Sequence, residues 1–222
     1  MINKDLQAWG RRVANAIVTP LASSGLTPNM LTVVGLLLSL FVGLVIATGH
    51  VSIGGALLLF AGIFDMFDGA LARVTGRASV FGAFFDSTLD RIAEAGIGLG
   101  LLWYYAFHHD MAGATLLYLV IVGSLMISYA RARAEGLNLE CKVGLMARPE
   151  RVIILSVGLM LGPVVLPWVL LLLAVSTWYT VVQRIVHVWR ETEGAPRTPE
   201  TASTSTAATP RPSPFRRKRI AS

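Results

Sequence analysis

The stretch Phe64-Asp65-Met66-Phe67-Asp68-Gly69-Ala70-Leu71-Ala72-Arg73, with Gly82-Ala83-Phe84-Phe85-Asp86-Ser87-Thr88-Leu89-Asp90-Arg91 after it, decides the fold. Four aspartates stand here inside two of the most apolar regions of the chain. A carboxylate at the middle of a membrane helix costs about 2.5–3.5 kcal/mol, so four together cost on the order of 10 kcal/mol unless something neutralises them. Divalent cations suit that task, because a carboxylate-only ligand set favours hard ions such as Mg²⁺ or Mn²⁺.

The surroundings are those of an integral membrane protein. Hydrophobic residues make up 54% of the chain and charged residues 14%, with a mean hydropathy of +0.63; soluble domains average about 25% charged. Apolar runs of about 20 residues, the length a bilayer core requires, occur at 29–48, 51–74, 80–107, 111–134 and 163–191. A shorter run covers 149–161, and Gly162-Pro163 separates it from the last. Without that break, Arg148 and Arg184 would lie 36 residues apart on one rod, about 54 Å long and far beyond the bilayer. The expected fold is therefore all-α, with six transmembrane helices.

Basic residues set the orientation. Lys4, Arg11 and Arg12 precede the first span; Arg73 and Arg77 lie between the second and third. Arg131, Arg133, Lys142 and Arg148 lie between the fourth and fifth, and Arg184 and Arg190 end the sixth. The connections Gly49-His50, 108–110 and Gly162-Pro163 carry no Lys or Arg. The alternation predicts a multi-pass protein of the cell (inner) membrane, with both termini and the acidic site on the cytoplasmic side.

Three regions follow. Residues 1–27 form an interfacial amphipathic helix and linker, with Leu6, Trp9, Val13 and Ile17 on one face. Residues 28–191 form the six-helix domain. Residues 192–222, rich in Thr, Ser, Ala and Pro, form a disordered cytoplasmic tail ending in the basic cluster Phe215-Arg216-Arg217-Lys218-Arg219. Much of the net charge of +6 belongs to this tail and does not indicate nucleic-acid binding. The single cysteine, Cys141, excludes an intrachain disulfide.

Asp65 and Asp68 are three apart, and Asp86 and Asp90 four apart, so each pair shares a helix face. The link 75–79 is short, and the second and third spans are expected to be antiparallel neighbours whose carboxylates converge. Four carboxylates suffice for two metals about 3.5–4 Å apart, a clamp for phosphoryl displacement. Gly69 and Gly82 remove side chains beside the acids, and Arg73 offers a planar fork to a phosphate. A divalent cation transporter is the alternative of a different class. It would need polar residues along a path through several spans, and the first span, the sixth and the outer half of the second offer almost none.

The string D-x2-D-G-x2-A-R-x8-G-x3-D-x3-D, here Asp65, Asp68, Gly69, Ala72, Arg73, Gly82, Asp86 and Asp90, resembles the signature of the CDP-alcohol phosphotransferases without departure. The resemblance also covers the six-helix layout and the N-terminal interfacial helix, but not the tail. It implies that an acceptor hydroxyl attacks the β-phosphorus of a CDP-linked lipid and CMP leaves. It further implies two Mg²⁺ ions (or Mn²⁺) held by Asp65, Asp68, Asp86 and Asp90, with Asp90 also the catalytic base. Asn29, Met30, Leu31, Thr32, Gly69, Arg73 and Ser79 match donor-binding positions, and the family implies a homodimer.

The acceptor rests on other residues. Ser128-Tyr129-Ala130-Arg131-Ala132-Arg133-Ala134-Glu135 and Arg148-Pro149-Glu150-Arg151 resemble the phosphatidylinositol-phosphate synthase branch of the family, as does Asp90-Arg91. In that branch Arg131, Arg148, Arg151 and Arg184 correspond to positions binding the phosphate of inositol 1-phosphate, although relatives often carry Lys where Arg131 stands. The resemblance thus implies CDP-diacylglycerol as donor and phosphatidylinositol phosphate as product, with glycerol 3-phosphate as the competing acceptor.

Overall fold

The computed structural model describes residues 26–193. Of the expected N-terminal region 1–27 and tail 192–222, residues 1–25 and 194–222 lie outside the described residues, and with them the interfacial helix and the basic cluster. Within them the chain is all-helical: α1 Pro28–Ala47, α2 Val51–Phe64, α3 Met66–Val74, α4 Val80–Phe107, α5 Met111–Glu135, α6 Arg148–Met160 and α7 Leu166–Thr192.

Local chemistry sets the ends. Thr27 caps α1 by accepting from the Met30 amide at 3.3 Å, with Pro28 at the first helical position, where its missing N–H is no loss. Ser79 caps α4 through Gly82 N–H at 2.9 Å, and Asp110 caps α5 through Gly113 N–H at 2.9 Å. Gly162 turns the chain between α6 and α7 at φ +90°, a conformation only glycine adopts without strain. The expected break there is present, so the last apolar stretch forms two helices.

Four helical stretches are long and apolar enough to cross a membrane: Pro28–Ala47, Val51–Val74, Met111–Glu135 and Leu166–Thr192. The other two expected spans differ for physical reasons. Helix α4 carries Asp86, Asp90, Arg91 and Glu94. Helix α6 has 13 residues, or about 20 Å at 1.5 Å per residue. In the second span, Val51–Val74, α2 and α3 meet at Asp65, which keeps right-handed helical torsions (φ −58°, ψ −22°) and donates its amide to the Ala61 carbonyl at 2.9 Å.

One expectation is corrected. The second and third spans do not pack on each other, because α1 lies against both α4 and the α2–α3 pair. Gly43 and Gly100 bring the backbones of α1 and α4 into contact: a Cβ added at Gly43 would sit 2.6 Å from the Gly96 carbonyl oxygen, and one at Gly100 would strike the Gly43 backbone. Helix α2 packs on α6 and α5 on α7. The core between these layers holds Val42, Ile46, Leu58, Leu101, Leu159 and Leu170. A smaller cluster of Leu31, Ala70 and Leu71 seats α3 on α1.

Candidate active site

Asp65 stands at the junction of α2 and α3, and Asp68 lies one turn on, in the first turn of α3. Asp86 comes from the first half of α4. Oxygens of Asp65, Asp68 and Asp86 lie within 4.8 Å of one another. Three oxygen-only ligands at this spacing fit a hard divalent cation. Three of the four acids therefore converge, across a gap beside α1 rather than across a helix–helix interface.

Asp90 stands apart from this trio. Arg148 Nη2 donates to its Oδ1 at 2.8 Å, and Arg148 Nη1 donates to Asp65. The structure thus gathers three of the four expected metal ligands and ties the fourth to an arginine of α6.

Two cavities flank the acids. The smaller, about 250 Å³, is lined by Asn29, Thr32, Asp68, Gly69, Arg73, Arg77, Ser79, Gly82 and Asp86. Its open floor depends on glycine: a Cβ at Gly82 would press on Ser79 Oγ at 3.0 Å and Asn29 Oδ1 at 3.4 Å. Five of the seven expected donor-binding residues line it. Met30 and Leu31 do not: Met30 is half exposed and Leu31 is buried against Ala70 and Leu71. The helical period explains this, since Asn29 and Thr32, three apart, share the cavity face and the two residues between them turn away. The larger cavity, about 520 Å³, reaches from Asp65, Glu94, Arg148 and Arg151 down to apolar Ile97, Leu101 and Leu117.

The chain is similar over most of its length to proteins of known kind. Residues 25–189 match the family model described as CDP-alcohol phosphatidyltransferase. The chain belongs to the CDP-alcohol phosphatidyltransferase family. It is 34% identical over 194 residues to the archaetidylinositol phosphate synthase of Methanothermobacter thermautotrophicus, covering 85% of this chain and 97% of that one. It is 39% identical over 190 residues to the phosphatidylinositol phosphate synthase of Mycobacterium tuberculosis (strain H37Rv), covering 80% and 86%. The crystal structure of the Mycobacterium tuberculosis phosphatidylinositol phosphate synthase with CDP-DAG bound superposes with a TM-score of 0.76 at 37% identity, over 80% of this chain and 94% of that chain. The same enzyme in complex with manganese and citrate gives 0.75 at 37% identity, over 79% and 88%.

In this CDP-alcohol phosphatidyltransferase the four arginines expected at the acceptor site have different partners. Arg148 and Arg151 line the larger cavity. Arg131 pairs with Glu135 at 2.8 Å on the exposed end of α5. Arg184 is buried and donates to backbone carbonyls, to Val143 O at 3.0 Å and to Ile127 O. It pins the 136–147 connection, which Thr180 Oγ1 and Gln183 Oε1 of α7 also hold by accepting from Met146 and Leu145 N–H.

Two residues in the phosphatidyltransferase site went unassigned in the sequence. Arg77 lines the smaller cavity, where its position four residues after Arg73 had served only as a topology marker. Glu94 lines the larger one, and the spacing Asp86, Asp90, Glu94, four and four, was its visible signal. Thr32 gains a further role: its Oγ1 donates to Asp68 Oδ2 at 2.9 Å in a buried contact. Partners that orient a metal ligand are typically worth 10–100-fold in metal affinity. Thr32→Val keeps the shape and removes the donor, and is expected to weaken Mn²⁺ binding about tenfold, measured by paramagnetic resonance titration in detergent. Unchanged affinity would remove Thr32 from the site.

Proposed function

We propose that the protein transfers the phosphatidyl group of CDP-diacylglycerol to inositol 1-phosphate, giving phosphatidylinositol phosphate and CMP. The observation that carries this reading is the meeting of two cavities at one acid cluster. Asp68 and Asp86 border the cavity of Asn29, Gly69, Arg73 and Ser79, while Asp65 borders that of Arg148 and Arg151. A donor nucleotide in the first and an acceptor phosphate in the second would bring pyrophosphate and hydroxyl together over the carboxylates. The relatives' names point the same way.

Asp65, Asp68 and Asp86 would hold a divalent cation, with Asp90 contributing to a second. Bound there, Mg²⁺ or Mn²⁺ would offset the pyrophosphate charge and ease deprotonation of the hydroxyl. Arg73 and Arg77 bind the nucleotide end of the donor by their charge. Arg148 and Arg151 hold the acceptor phosphate; Arg131 and Arg184 would have to leave their present partners to join them. Asp90 takes the proton of the hydroxyl as its oxygen bonds to the β-phosphorus. The bond from that phosphorus to the bridging oxygen breaks, and the electron pair leaves with CMP. The alternation of basic and uncharged connections supports six crossings, with termini and acids on the cytoplasmic side, and the family supports a homodimer.

Purified protein with CDP-diacylglycerol and Mg²⁺ is expected to release CMP on addition of inositol 1-phosphate, and to stop on chelation with EDTA. CMP release with glycerol 3-phosphate alone would overturn the acceptor. Equal rates with free inositol would overturn the role of the arginines.

A further inference from the structure

Glu94 lies one turn beyond Asp90 on α4 and faces the larger cavity. Three donors from three helices converge on its carboxylate. Arg151 Nη2 of α6 donates to Oε1 at 3.2 Å, Ser124 Oγ of α5 donates to the same oxygen, and Arg91 Nη1 of α4 lies 3.4 Å from Oε2. Arg151 is the more enclosed partner, its side chain 5% exposed against 25% for Glu94. Its other contact is longer, Nη1 to the Met146 carbonyl at 3.4 Å, and its Nε has no partner. Glu94 is therefore the only carboxylate paired with this buried guanidinium among the described residues. A buried cation is costly unless a paired anion or hydrogen-bond acceptors compensate it.

The pairing has a register. Asp86, Asp90 and Glu94 recur every four residues on one face of α4. Arg148 and Arg151 are three apart on α6. The two helices are joined rung by rung: Arg148 on Asp90 and Arg151 on Glu94, with Asp86 left for the acid trio. One face of α4 thus holds both arginines, Arg148 jointly with Asp65 and Arg151 through Glu94 alone.

We propose that Glu94 is a positioning residue for the acceptor: it fixes the Arg151 guanidinium at the height where the acceptor phosphate binds beside Asp90. This rests on Arg151 binding that phosphate, as the proposed function has it. A hydrogen bond to a charged group contributes about 1.5–3 kcal/mol, and about 1.4 kcal/mol is tenfold, so loss of the anchor is worth about tenfold or more in acceptor affinity.

The test is a steady-state comparison of Glu94→Gln, Glu94→Asp and Ser124→Ala with wild type. Glu94→Gln is expected to raise KM for inositol 1-phosphate about tenfold, leaving KM for CDP-diacylglycerol and kcat near wild type. Glu94→Asp, which keeps the charge, should recover part of the loss. Ser124→Ala cuts the tie to α5 but not the anchor, and should leave acceptor KM unchanged. A purely structural tie would instead lower the melting temperature and affect both substrates alike in Glu94→Gln and Ser124→Ala, which overturns the inference. So does an unchanged acceptor KM in Glu94→Gln while wild type uses inositol 1-phosphate. A wild type inert toward inositol 1-phosphate overturns the proposed function, and the inference with it.

Discussion

Asp90→Asn is expected to abolish CMP release while the protein still binds CDP-diacylglycerol. The substitution keeps the shape of the side chain, and the amide oxygen can still accept from Arg148 Nη2, now 2.8 Å from the carboxylate. Although the side chain is only 12% exposed, packing should survive because no heavy atom is added. What disappears is the proposed acceptor of the proton of the attacking hydroxyl. Loss of a positioned base typically costs about 10²–10⁴ in rate, and loss of the charge beside the acid trio adds to that. The cavity proposed for the donor is bordered by Asp68 and Asp86 but not by Asp90, so donor affinity should change little. Turnover at the wild-type rate would remove Asp90 as base. Loss of donor binding along with turnover would move Asp90 from the chemistry to the donor site.

Much of this site was legible because burying charge in apolar sequence is so unfavourable that four acids in such surroundings need a partner. Spacing alone put Asp65 with Asp68 and Asp86 with Asp90, and the structure brings Asp65, Asp68 and Asp86 together. The apolar run read at 80–107 has the bounds of α4, which Ser79 caps at one end and His108 closes at the other. What sequence did not reveal is which helices touch. The acids were expected on directly packed helices, but contacts at Gly43, Gly96 and Gly100 put α1 against α4. Glycines in apolar helices announce close approach without naming the partner. Nor did the sequence reveal how the arginines are paired. Arg148 and Arg184 look alike as basic ends of apolar spans. Only the fold sets one on Asp65 and Asp90 and the other on the carbonyls of Ile127 and Val143. Likewise the segment 29–32 read as one donor-binding unit, while the turn of α1 divides it between cavity and core.

Gly100→Ala is expected to unfold the site from a distance. The new Cβ would overlap the carbonyl oxygen, carbonyl carbon and Cα of Gly43. These are backbone atoms and cannot rotate away as the end of a side chain would. The α1–α4 interface must open, and it is the interface that holds Asn29 and Thr32 beside Asp86. Overpacking commonly costs about 1–3 kcal/mol, and an obstacle of backbone puts this case at the upper end. For a chain of this size that lowers the melting temperature by roughly 6–12 °C. Mn²⁺ and CDP-diacylglycerol binding should weaken in step, because Thr32 and Asp68 sit on one side of that interface and Asp86 on the other. Leu99→Ala is the control: it is the neighbouring residue, 63% exposed, and makes no such contact. It should melt near wild type. If Gly100→Ala also melts within about 2 °C of wild type, the close approach of α1 and α4 is not what holds the acids together.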